Sequence, residues 1–105
     1  MQGTFAKDLL QVIRLTLRES STDFDTEISS YIEGCATDLM NAGVLPAFFS
    51  SGINCDPQIL QAVRWYCLSK YGLYNADMEK YDKAYQSLKA TLCTQRKYTE
   101  EGYGL

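Results

Sequence analysis

Apolar side chains recur at spacings of three and four along most of this chain, the pattern of helices with one buried face. Phe5, Leu9, Ile13 and Leu17 fall four apart, with Leu10 and Val12 widening the stripe, and predict a first helix from about Thr4 to Arg18. Ser20-Ser21-Thr22-Asp23 ends it, because these side chains compete for backbone hydrogen bonds. A second helix begins near Asp23 to Asp25 and stops before Gly43, which is free to take a positive φ. Asp25 and Glu27 suit the positive end of its dipole. Ile28, Tyr31, Ile32, Cys35, Ala36, Leu39 and Met40 make its apolar side.

The loop from Val44 to Cys55 is unusually apolar, with Leu45-Pro46-Ala47-Phe48-Phe49 ahead of Ser50-Ser51-Gly52. Two adjacent phenylalanines in a loop either fold back over the core or contact a partner. Asp56-Pro57 opens a third helix, with Asp56 as N-cap and Pro57 at the position that needs no N–H. Ile59, Leu60, Val63, Tyr66, Cys67 and Tyr71 recur along it, Trp65 and Leu68 lie to the side, and Gly72 closes it. Apolar on most of its circumference, this helix belongs at the centre. Leu73-Tyr74-Asn75 makes a tight turn, with Asn75 the expected cap of a fourth helix from about Ala76 to Thr94. Met78, Tyr81, Tyr85, Leu88 and Leu92 form one stripe there and are expected to close the core against the third helix.

The expected fold is therefore all-α: a small bundle of four main helices, the last two forming an antiparallel hairpin. Residues 1–94 make a single domain. Residues 95–105 lack periodicity, hold two glycines, and read as a flexible C-terminal tail.

At 105 residues, 46% hydrophobic and 22% charged, the chain can bury one core and is not disordered throughout. No apolar run reaches the roughly 18 residues a membrane helix needs, and no secretory signal pattern opens the sequence. The net charge of −3 is unevenly spread. Glu19 to Val63 contains no lysine or arginine but holds Glu19, Asp23, Asp25, Glu27, Glu33, Asp38 and Asp56. Arg64 to Tyr98 carries Arg64, Lys70, Lys80, Lys83, Lys89, Arg96 and Lys97 against Asp77, Glu79 and Asp82. These blocks are either solvated faces that differ, or the acidic and basic flanks of a subunit that stacks head to tail.

Candidate chemistry is sparse. There is no histidine, the commonest general base and metal ligand. Cys35, Cys55, Cys67 and Cys93 form no Cys-x-x-Cys pair and read as free thiols in a reducing cytoplasm, with no metal or cofactor. Gly102-Tyr103-Gly104 follows no predicted strand and opens no helix, so it is no phosphate loop. Asp23 and Asp25 sit at a helix start, where carboxylates cap. No enzyme is expected. The alternative to a structural role is a small helical regulatory or DNA-binding protein of phage or bacterial origin, which would need a basic surface.

Three segments carry a family resemblance: LRESSTDFDTEISSYIEGCATDLMNAGV (17–44), DPQILQAVRWYCLSKYG (56–72) and the hairpin with its last helix, YGLYNADMEKYDKAYQSLKATL. In their order and spacing the chain resembles the head–tail connector (adaptor) proteins of tailed bacteriophages, also called phage DNA-packaging proteins. The likeness covers about residues 5–94. It implies a structural head-completion protein, made in the bacterial host cytoplasm and placed in the virion at the head–tail interface. Such a protein assembles with itself in a ring of about twelve subunits beneath the portal protein, a contact that needs two complementary surfaces per subunit. The ring extends the DNA channel without reading DNA sequence, and docks a downstream stopper or tail-completion protein. The residue pattern offers candidates for those surfaces. Glu33 and Asp38 are expected to face Lys80, Lys83 or Lys89 of a neighbour, and Trp65, Tyr74 or Phe48-Phe49 to supply the apolar centre.

Overall fold

The computed structural model describes residues 4–71 and 76–102. It is all-helical: α1 (Phe5–Leu17), α2 (Asp25–Asn41), a 3-10 turn (Pro46–Phe49), α3 (Pro57–Lys70), α4 (Met78–Cys93) and a one-turn α5 (Arg96–Thr99). No strand occurs among the described residues. Asn75, Gly72 and Tyr74, assigned above to a cap, a helix end and an interface, lie outside them.

The periodic stripes become the core. Phe5, Leu9 and Ile13 of α1 and Ile28, Ile32, Cys35 and Leu39 of α2 are buried, as are Ile59, Val63 and Cys67 of α3. α3 contacts α1, α2 and α4, which gives it the central place its apolar circumference requires. α3 and α4 fold against each other as a hairpin, with Trp65 stacked on Tyr81 at 5.7 Å and Tyr66 edge-on to Tyr85 at 5.1 Å. On α4 only Tyr85 and Leu92 are fully buried; Met78, Tyr81 and Leu88 are half-buried along the edge of the same stripe. Gly34 leaves room on α2 for Tyr66 of α3, since a Cβ there would lie 3.0 Å from the Tyr66 hydroxyl.

The loop after α2 folds back over the core. Phe49 is fully buried and meets Phe5 edge-on at 5.3 Å. Asp8 straps the rest of the loop to α1: its Oδ2 accepts from Thr4 Oγ1, Ser51 Oγ and the Gly52 amide at 2.6, 3.0 and 2.9 Å. The Thr4 amide returns a bond to Ser50 O.

The tail departs from expectation over its described part. Residues 95–102 are not a loose extension: α5 docks beside the start of α3, and Tyr98 is fully buried. The Leu45 amide donates to Tyr98 O at 2.8 Å, and the Phe48 and Tyr98 rings lie 5.2 Å apart. One aromatic side chain in a polar segment generates no periodicity, yet one buried tyrosine suffices to dock a single helical turn.

Candidate assembly surface

Three carboxylates organise the polar contacts between helices. Asp56 caps α3, accepting from the Gln58 and Ile59 amides, and also accepts from the Tyr98 hydroxyl at 2.8 Å and pairs with Lys97 at 3.0 Å. Burial works against its charge, but the Tyr98, Lys97 and backbone donors outweigh that and hold the carboxyl below its ordinary range. Asp38 on α2 accepts from Tyr85 and from Lys89 on α4, the latter at 3.0 Å. Here too burial opposes the charge and the two donors prevail, leaving the Asp38 pKa lowered. Burial above all keeps the Tyr85 phenol protonated, so it can only donate to Asp38. Asp25 at the start of α2 pairs with Arg14 of α1 at 3.2 Å, and those facing atoms are shielded from solvent.

These pairs redistribute the residues expected at a subunit interface. Asp38 and Lys89, expected on opposite sides of a contact, already meet each other within one subunit. Phe49 belongs to the core, and Phe48 is half-buried against Tyr98. Trp65 is half-buried beneath Tyr81. Lys83 is exposed and pairs with Glu79 one turn away at 3.3 Å. Glu33 on α2 and Lys80 on α4 are exposed and make no ion pair among the described residues. The acidic block is largely matched internally: Glu19 also accepts from the Tyr71 hydroxyl at 2.6 Å, tying the α1–α2 connection to the end of α3.

Cys35 and Cys67 are buried free thiols, and burial raises Cys67 to about 12, far from a reactive thiolate. Among the described residues no group of acidic or cysteine side chains has the geometry to hold a metal. No helix among them is long and apolar enough to cross a membrane.

Two surface features escaped the periodicity argument. One is a shallow groove of about 250 Å³ between the first half of α1 and the second half of α2. Phe5, Ala6, Ala36, Met40 and Phe49 form its floor, and Glu33 and Thr37 its rim. The other is at the far end of the same helix pair, where Leu15 is 73% and Phe24 44% exposed. Leu15 lies off the four-apart stripe of α1, a signal present in the sequence.

Neither a curated protein nor a solved structure matches the chain. A family model described as phage connector protein matches residues 9–99, from within α1 through α5. That span holds the three interhelical carboxylates and nearly the whole buried core, so the chain belongs to the phage connector protein family, whose role is structural, at the head–tail junction of the virion.

Proposed function

We propose that this chain is a head-completion subunit that assembles as a ring beneath the portal, extends the DNA channel, and docks the next head-completion or tail protein. The family match across all four main helices carries this reading. The structure adds a physical reason why the surface suits assembly and not sequence reading. Lys89 pairs with Asp38 and Lys97 with Asp56, which takes two basic residues of α4 and α5 out of any phosphate-binding stripe. The exposed Glu33, Lys80 and Lys83 are the charged side chains on α2 and α4 proposed to face other subunits. A ring of about twelve, matched to the portal, needs a head-to-tail contact of this unlike-surface kind. Co-expression with the portal protein of the same phage, followed by native mass spectrometry, tests it. A cyclic complex on the portal is the expected outcome. Tight, salt-dependent DNA binding by a monomer or dimer, with no portal complex, would replace this reading with that of a regulator.

A further inference from the structure

The α1–α2 pair is antiparallel, so its two ends differ. Arg14 and Asp25 meet near the connection, while Phe5 and Ala6 line one groove with Ala36 and Met40 at the other end. The connection end presents exposed Leu15, followed by exposed Arg18. Leu15 is 73% exposed, and Arg18 makes no ion pair among the described residues. The groove end presents an apolar floor with the exposed carboxylate of Glu33 on its rim.

We propose that the Leu15–Arg18 end of α1 in one copy seats in the α1–α2 groove of the next copy, with Leu15 on the apolar floor and Arg18 against Glu33. Three observations favour a second copy as the occupant. The charges are complementary, an exposed arginine beside the protruding leucine and an exposed glutamate beside the groove. The size fits: about 250 Å³ is below the roughly 300–1,000 Å³ of small-molecule sites and holds one or two apolar side chains. The placement also fits. Leu15 and the groove residue Ala6 are nine positions apart on α1, hence about half a turn round and roughly 13 Å along the axis. Knob and groove therefore do not overlap and face different ways. A contact between them is heterologous and repeats from copy to copy, closing into a ring or running on as a filament. Ile53, the other strongly exposed aliphatic side chain, sits on the loop anchored to Asp8, in the groove's own half of α1.

This inference rests on the ring reading above but can fail separately from it. The test uses sedimentation and native mass spectrometry of the full chain, from micromolar to about 1 mM, a range that detects contacts down to about −4 kcal/mol. The variants are Leu15→Asp, Arg18→Glu, Glu33→Arg, and the Arg18→Glu/Glu33→Arg double, all at exposed positions, with circular dichroism confirming the fold. Each single variant is expected to weaken self-association at least tenfold, and the double variant to recover most of it. Self-association that ignores these substitutions, or a double variant no better than the singles, overturns the proposed contact and leaves the ring reading standing. A wild-type chain that stays monomeric at about 1 mM also overturns it, while the portal experiment still decides the ring. An open filament that responds to the substitutions as expected keeps the contact and removes the closed ring.

Discussion

Arg18 leaves α1 with φ 58°, in the left-handed region, and its neighbours close a Schellman-type end: the Glu19 amide reaches back to Arg14 O and the Arg18 amide to Leu15 O. A residue with a Cβ pays about 1–2 kcal/mol for that conformation, and glycine escapes it at some loss of chain entropy. Arg18→Gly is therefore expected to stabilise the subunit by about 0.5–1 kcal/mol in urea unfolding, while weakening self-association if Arg18 meets Glu33. Gly52 makes the opposite case. A Cβ there would fall 2.8 Å from Asp8 Cβ, 2.9 Å from Leu9 Cγ and 3.0 Å from the Phe5 carbonyl oxygen. The backbone must approach α1 that closely for the Gly52 amide to reach Asp8. Gly52→Ala should cost about 1–3 kcal/mol, the usual range for overpacking, and lower the melting temperature by several degrees.

At the scale of elements, the long amphipathic helices were legible because many side chains vote for each. The four-apart stripe of α1, the apolar side of α2 and the Asp56-Pro57 start of α3 all reappear within a residue or two of their expected bounds. What escaped is what a single residue decides. Tyr98 turns a polar segment into α5, and Asp8 turns a Ser-Ser-Gly stretch into a strap, and neither produces a period. Pairing within the subunit was hidden for a related reason. Sequence shows that Asp38 and Lys89 carry opposite charge, but not that α2 and α4 of one chain already bring them to 3.0 Å. The docked segment yields a direct prediction. A chain ending at Thr94 loses the buried Tyr98, uncovers Phe48, and strips Asp56 of both Tyr98 and Lys97. Removing a buried aromatic alone costs about 3–5 kcal/mol, so the truncated chain should be destabilised by at least that in urea unfolding. A loss under about 1 kcal/mol would mean that α5 is an appendage to the core and no part of it.

Across the whole molecule, the segregation of acid and base along the chain is first a device for holding helices together. Arg14–Asp25 joins α1 to α2, Asp38–Lys89 joins α2 to α4, and Asp56–Lys97 joins α3 to α5. Glu33 on α2 and Lys80 on α4 are among the charged side chains that stay exposed outside these pairs. The internal pairing also fixes how stability responds to pH. Asp8, Glu19, Asp38 and Asp56 all have lowered pKa values, through donors that favour the charged form. A carboxylate with a depressed folded-state pKa contributes stability that is present above its unfolded value, about 4, and is lost as pH falls through the folded value. At the alkaline end, burial raises Cys67 and Cys55, to about 12 and 11, so the unfolded chain loses those protons first. Stability then declines as pH climbs past the unfolded thiol value, about 8.5. With no histidine in the chain, no side chain at its ordinary pKa titrates between these limits. Chemical denaturation against pH should therefore show a plateau from about pH 5 to 8, with steep loss below about 4. Asp38→Asn should cost about 1–3 kcal/mol on the plateau, because Lys89 loses its counter-charge, and progressively less as acid protonates Asp38 in the wild type. Parallel curves that keep the same separation from pH 7 down to 2 would show that Asp38 contributes by packing and not through its charge.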